Sequence, residues 1–377
     1  MAPIVKFLAD LVAIPSVNPA FAPPGDPHSG EERVTALLHE RARAVGMECA
    51  YAPVLPGRSN LIVRLAPARK ARCSILLAPH LDTVGGLEIP GDLFTPVLKE
   101  GKLFGRGACD TKGSVAAMFS ALCAVAREQP PSETEIVFAG LVDEESGQAG
   151  SRKLAADRFK ADLAIVGEPT QIKVVTAHKG VLWLRLTTEG KAAHGSRPEL
   201  GHNAVHTMAR IVDTLETDYA ARLRRHKHPL LGRATINVGA ISGGTQPNIV
   251  PSRCMISIDR RTLPGERDAA VCRDIRTLLK SKRLSARFES LQGGPCMPLE
   301  TPSDLPLVAQ FLSIAGQKKP AGVDYFSDAA ILADSGIPSV LFGPGDIAQA
   351  HTPDEWISIA SLEKAERLLI RFLRSLP

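Results

Sequence analysis

EIVFAGLVDEES, residues 135–146, runs from an apolar stretch straight into three consecutive acids. The first part, to Leu141, has the content of a buried strand. The polar turn after it opens with Asp143, Glu144 and Glu145, and nothing basic sits beside them. Like charges side by side repel, so these acids are either solvated and idle or held by a cation.

Other apolar runs end the same way. CSILLAP (73–79) leads to His80, ADLAIVG (161–167) leads to Glu168, and PSVLFG (338–343) leads to a loop carrying His351. Helical patterns separate them: about 3–13, a stretch to about Gly46 that Ser29 is expected to cap, the Ala-rich TKGSVAAMFSALCAVAR (111–127), and about 361–375. Strands alternating with helices predict an α/β fold with a mostly parallel central sheet and flanking helices. The middle reads differently. From about 180 to 290 the order is β-α-β-β-α-β, which predicts a ferredoxin-like domain inserted into the first. The expected division is a catalytic, metal-binding domain of 1–177 and 291–377 with an insert at 178–290.

Bulk properties exclude some classes. The 377 residues carry 45 basic and 40 acidic side chains, a net charge of +5, which is weak ground for nucleic-acid binding. The densest basic run, ARLRRHKH (221–228), reads as a solvated helix end. Seven cysteines, an odd number with no CxxC pair, argue against a disulfide framework and a thiolate zinc site. A reducing, cytoplasmic setting is expected. Asp10 interrupts the apolar N-terminal stretch, which reads as an amphipathic helix and not a signal peptide. No run approaches the roughly 18 apolar residues of a membrane span.

Ligands in open α/β sheets bind beyond the carboxyl ends of the strands. Four such ends supply His80, an acid of DEES, Glu168 and His351, and Asp110 in GRGACDTKG adds a fifth group. Any one alone carries little, and GRG by itself is only a turn. Together, two imidazoles and three carboxylates suit a pair of zinc-like ions.

HLDT (80–83), GRGACDTKG (105–113), DEES (143–146), GEPT (167–170) and AHTPDE (350–355), with LVAIPSVNP (11–19), resemble the di-zinc amidohydrolases and peptidases. That group includes acetylornithine deacetylase, succinyl-diaminopimelate desuccinylase, aminoacylase and glutamate carboxypeptidase. The resemblance covers nearly the whole chain and departs at no metal-type position. It implies two Zn2+ per subunit, which Co2+ can replace. His80 and Glu168 would bind one, Glu145 and His351 the other, and Asp110 would bridge them. Asp82 would hold the His80 imidazole in its ligating tautomer. Glu144 would be the general base that moves a proton from the attacking water to the leaving amine. Asp143 is expected to be structural.

GKAAHGSRP (190–198) presents His194, by itself a surface-loop histidine. The resemblance implies that it reaches the active site of a second subunit and stabilises the oxyanion, so that the insert forms a homodimer and serves as a lid. Asn248 in GGTQPNIVP and Arg261 in DRRTLPG would contact the substrate, Arg261 through its α-carboxylate, with Arg260 its close competitor. Gly343, with Pro344 and Gly345, would let backbone approach the substrate.

The expected reaction is metal-dependent hydrolysis of the amide bond of a small N-acyl amino acid. GVDYFSDAAILADSGIPSVLFGPG (322–345) is most similar to the acetylornithine deacetylase and succinyl-diaminopimelate desuccinylase branch. The alternative is a dipeptidase or carboxypeptidase with the same site. A non-catalytic metal- or amino-acid-binding relative is a different class, and the presence of Glu144, Asp82 and His194 beside the ligands argues against it. Neither nucleic acid nor membrane is an expected partner.

Overall fold

The structure, a computed structural model, describes residues 2–85, 92–128 and 130–377. The chain divides into two compact units. The first comprises residues 1–176, 301–321 and 327–377, the second residues 177–300 and 322–326.

In chain order the elements begin with helices α1 (Pro3–Val12) and α2 (Glu32–Arg43) and strands β1 (Glu48–Leu55), β2 (Arg58–Leu65) and β3 (Cys73–Pro79). Short strands β4 (Val97–Lys99) and β5 (Lys102–Phe104) precede helix α3 (Lys112–Glu128). Strand β6 (Thr134–Gly140), helix α4 (Ala149–Ala156), strand β7 (Leu163–Gly167) and strand β8 (Val175–His178) follow. Next come β9 (Gly180–Glu189), α5 (Ala204–Thr214), α6 (Ala220–Leu223), β10 (Thr235–Gly243), β11 (Arg253–Thr262), α7 (Asp268–Ser281), β12 (Arg287–Ser290) and β13 (Leu299–Glu300). The chain closes with α8 (Pro306–Ile314), β14 (Ala321–Val323), α9 (Ala329–Asp334), β15 (Ser339–Leu341), β16 (Trp356–Ser358) and α10 (Ile359–Arg374).

In the first unit the sheet runs β1-β2-β6-β3-β7-β15-β8. Its centre, β6-β3-β7-β15, is parallel throughout, with Ile75 opposite both Ile136 and Leu163, and Val340 opposite Ile165. The flanking pairs β1-β2, β2-β6 and β15-β8 are antiparallel. The parallel strands are buried along almost their whole length, as strands covered by helices on both faces must be. Their four carboxyl ends therefore open side by side at one edge.

Helix α3 packs on this sheet and against α1 and α10. It is buried on nearly all sides, as its apolar composition predicts, and its alanines let the backbones approach closely. Aromatic contacts lock the layers: Phe119 meets Phe138 edge-on at 5.3 Å, and Phe311 meets Phe342 at 4.9 Å and Phe372 at 4.6 Å. Each fully buried side chain of this size contributes roughly 1.5–3 kcal/mol.

The start of α2 differs from its expected form. Glu31, not Ser29, precedes the helix, and no side chain caps it. Ser29 closes a turn on Asp26 (N···O 3.1 Å), and Gly30 at φ +85 redirects the chain. Glu31 is thereby turned to Arg58.

The second unit holds an antiparallel sheet of order β10-β11-β9-β12. Leu182, Leu184 and Leu186 alternate with outward Trp183 and Arg185. They share a core with Ile256, Ile258, Met208, Ile211, Val271, Ile275, Leu278 and Leu279. Asn203 caps α5, its Oδ1 accepting from the Val205 and His206 amides at 2.9 and 3.1 Å. Among the described residues no helix is long and apolar enough to cross a membrane. The seven cysteines are free thiols.

Candidate metal centre

The four parallel strand ends deliver the predicted groups to one place. His80 directly follows β3, the acids of DEES follow β6, Glu168 directly follows β7, and His351 lies in the loop after β15. Asp110 sits two residues before α3, at a cis Asp110–Thr111 peptide. The register between the first two strand ends is fixed by backbone bonds, Leu81 N to Leu141 O at 2.8 Å and Leu141 N to Pro79 O at 2.9 Å.

Asp110 stands between the two imidazoles. Its Oδ1 is 3.1 Å from His80 Nε2, and its Oδ2 is 3.4 Å from His351 Nε2. His351 Nε2 is also 3.1 Å from Glu145 Oε2. Two triads result: His80, Asp110 and Glu168, and Asp110, Glu145 and His351. Within each, one donor atom per residue lies within 4.8 Å of the others. Asp110 belongs to both, and Glu144 belongs to neither.

The electrostatics of this cluster call for cations. Burial pushes the Glu168 carboxyl well above its ordinary range, and the negative charge of Asp110 pushes further. Glu168 Oε1 is buried with no hydrogen-bond partner among the described residues. Burial, then repulsion from Asp110, also raises Glu145. Hydrogen bonds that the His351 imidazole donates to Asp110 and Glu145 raise it to about 10. Burial opposes protonation of His80, but bonds to Asp110 and Asp82 outweigh it and lift that imidazole well above 6.5. Protons shared by these imidazoles and carboxylates thus do what divalent cations can do better. An orphaned buried carboxylate oxygen and a nitrogen–oxygen donor set fit zinc-like ions.

Residues 76–375 match peptidase family M20/M25/M40. This chain belongs to that family. It is 31% identical to the acetylornithine deacetylase of Proteus mirabilis over 97% of this chain and 94% of that one. Among solved structures it is similar to the aminopeptidase PepT of Bacillus cereus, with TM-score 0.78 and 25% identity over 98% and 97% of the two chains. It also shares its fold with a dinuclear metal-binding peptidase of the M20 family from Bacillus subtilis, at TM-score 0.70 and 14% identity over 98% and 96%. As a member of this family the chain is a metal-dependent amide hydrolase.

Around this M20 centre lies a scaffold of buried hydrogen bonds. The Asp82 carboxylate accepts from the amides of Glu144 and Glu145, both at 3.1 Å, and from Asn18 Nδ2 at 2.8 Å. Its own backbone oxygen is 3.0 Å from His80 Nδ1, nearer than its carboxylate at 3.5 Å. Asp82 therefore faces the imidazole with both its carbonyl and its carboxylate, and holds the two acids through the carboxylate. Asp143 is structural: its Oδ1 accepts from Asn18 Nδ2 at 3.0 Å and from Arg58 Nη1 at 2.9 Å. Its φ of +71 is a left-handed conformation that Asp tolerates. Asn18 lies within LVAIPSVNP, and no local pattern marks either Asn18 or Arg58 as a support.

Gly343 is buried. Its N–H donates to Thr170 Oγ1 at 3.1 Å, and its oxygen accepts from Ile172 N at 2.9 Å and Thr170 Oγ1 at 3.3 Å. A Cβ there would lie 2.2 Å from Ser114 Oγ and 2.5 Å from Glu168 O. Its backbone groups are thus engaged within the protein, and the absence of a side chain allows close packing against Glu168 and Ser114.

The remaining predicted residues belong to the second unit. His194 and Asn248 are exposed there and lie on neighbouring loops, joined by Gly195 N to Asn248 O at 2.7 Å. His194 Nδ1 is 2.7 Å from Ser196 Oγ. Arg260 is fully buried, bound to Tyr219, Glu266 and the Arg261 carbonyl. Arg261 is partly exposed and forks the Asp259 carboxylate with two 2.9 Å bonds.

Proposed function

We propose that this chain removes a small acyl group from the α-nitrogen of an amino acid, with two zinc ions held by the two triads. The observation that carries the reading is the pair of triads sharing Asp110, with Glu144 next to Glu145 in the chain, interacting electrostatically with His80 and Glu168, and part of neither triad. His80 and Glu168 would hold one ion, Glu145 and His351 the other, and Asp110 would give one oxygen to each side. Bound divalent ions polarise an amide carbonyl and lower the pKa of water from about 15.7 toward about 7. Glu144 takes a proton from the attacking water and delivers it to the leaving nitrogen. The Asp82 carboxylate, bonded to the Glu144 and Glu145 amides, keeps base and ligand in fixed relation.

In this reading His194 stabilises the oxyanion from the second unit of a partner copy. Asn248 and Arg261 hold the substrate, Arg261 by exchanging Asp259 for the substrate carboxylate. Burial of Arg260 favours Arg261 in that role. Residues 178–290 would be a dimerisation and lid domain. The support for this is β10, an edge strand whose Ile241 is 59% exposed.

Acyl-amino-acid hydrolysis draws support from acetylornithine deacetylase relatives that span nearly the full chain. A dipeptidase or aminopeptidase reading is favoured by the similarity to PepT. A panel of N-acetylornithine, N-succinyl-diaminopimelate, other N-acyl amino acids and dipeptides, hydrolysed by zinc-loaded protein, separates the two. Preference for one N-acyl amino acid is expected, and selective cleavage of dipeptides would replace this reading with the second.

A further inference from the structure

Glu355 ends the AHTPDE segment, four residues after His351, and the mechanism above does not use it. It is only 3% exposed. Its carboxylate accepts four hydrogen bonds. Oε1 takes the amides of Cys109 at 2.8 Å and Asp110 at 2.9 Å. Oε2 takes the amide of Gly107 at 2.9 Å and Arg106 Nη1 at 2.9 Å. All four donors come from GRGACD, some 245 positions earlier in the chain. Backbone N–H groups converging on one point form an anion cradle, and here the chain fills it with its own side chain.

The same arrangement reaches back to His351. Arg106 Nη1 also donates to Thr352 O at 3.2 Å, one residue beyond that histidine. His351 has φ +63, a left-handed conformation that surrounding contacts must maintain. One carboxylate and one guanidinium thus clamp the loop that carries Asp110 to the loop that carries His351.

We infer that Glu355 is a positioning residue of the metal centre: it fixes Asp110 relative to His351 and so sets the affinity of the triad Asp110, Glu145 and His351 for its ion. It touches neither substrate nor ion. The inference rests on the metal-centre reading above and deepens it.

The test uses the full chain, stripped of metal and titrated with zinc alone against a chromogenic chelator. Wild type, Glu355→Gln and Glu355→Asp are compared. Glutamine is isosteric, but either orientation of its amide turns an NH2 toward two of the four donors. Glu355→Gln is expected to keep one zinc near wild-type affinity and to weaken the other by roughly 10–100-fold. Its kcat should fall in step, while KM stays within about twofold. Glu355→Asp keeps the charge at a shorter reach and should fall between. If Glu355→Gln gives no cooperative melt, Glu355→Asp carries the test. A folded Glu355→Gln with lowered Tm but wild-type zinc affinity and kcat would overturn the inference, since that is what a purely structural role produces. So would a Glu355→Asp indistinguishable from wild type beside an unfolded Glu355→Gln. Zinc affinity that separates the variants while the substrate panel stays silent would uphold Glu355 and sink the substrate reading. A wild type that binds no zinc would sink the metal reading, and this inference with it.

Discussion

His178 should make the second unit acid-labile between pH 6.5 and 4. The side chain is fully buried at the end of β8, with its ring edge-on to Phe326 at 5.5 Å. Its Nδ1 lies 2.9 Å from Lys179 O, which can only accept, so the ring carries its proton on Nδ1. Nε2 is buried with no hydrogen-bond partner among the described residues. A second proton there would place an unpaired charge in the core, and burial lowers the imidazole from 6.5 to about 4. Above pH 6.5 both folded and unfolded chains hold it neutral, and no penalty exists. As the pH falls through 6.5 the unfolded chain takes up the proton and the folded chain does not, so stability is lost until about pH 4. At 1.36 kcal/mol per tenfold in proton affinity, the complete loss is about 3 kcal/mol, of which about 2 kcal/mol has gone by pH 5. The assay is urea unfolding at pH 7.5, 6 and 5 of metal-free protein, with a His178→Asn variant for comparison. Asparagine keeps a donor near the Nδ1 position and removes the titration. Trp183 of the second unit reports in a Trp356→Phe background, since the chain has only two tryptophans. Wild type should lose about 2 kcal/mol more than His178→Asn between pH 7.5 and 5. Parallel pH profiles would refute the reasoning, because any pH-independent cost of the substitution cancels in that comparison.

Glu144→Ala should keep its full metal content and lose about 10²–10⁴-fold in kcat, as removal of a general base does; turnover near wild type would take Glu144 out of the mechanism. Gly343→Ala should cost roughly 1–3 kcal/mol by overpacking, since its Cβ meets the Glu168 carbonyl at 2.5 Å; an unchanged melting temperature would show that the loop yields freely. Arg261→Ala should raise KM for an acyl amino acid and leave the fold intact. Arg260→Ala should instead lower thermal stability, because it leaves the Glu266 carboxylate unpaired in a partly buried setting. Equal KM effects from the two would reverse the distinction between them.

Much of the fold could be read from residues alone, because the decisive strands are apolar runs between polar turns. CSILLAP coincides with β3, and the Ala-rich helix matches α3 to within a residue at each end. Strand β1 leaves no such signal, because ECAYAPVL is an edge strand, half exposed and interrupted by Pro53, with neither a continuous apolar run nor clean alternation. Strand β8 is only four residues long and too short for a periodicity to register. In the metal centre, His80 and Glu168 directly follow strands, Asp110 sits just before a helix, and Glu145 and His351 lie in the loops that follow strands, where sequence signals are strong. The supports are of another kind. Asn18, Arg58, Arg106 and Glu355 act on groups 64 to 249 positions away, and Glu355 acts on backbone amides, which have no residue signature. Asp82 was legible as an accessory to His80, but its hold on the Glu144 and Glu145 amides needed the packed loops to be seen.

The most direct measurement of the central claim is hydrolytic activity against zinc equivalents per chain, starting from protein stripped with a chelator. The account predicts no turnover in the metal-free chain and a rise that saturates at two zinc per chain, with cobalt restoring activity in the same proportion. Full activity in metal-free protein would contradict it, and saturation at a single equivalent would remove the second triad from the chemistry.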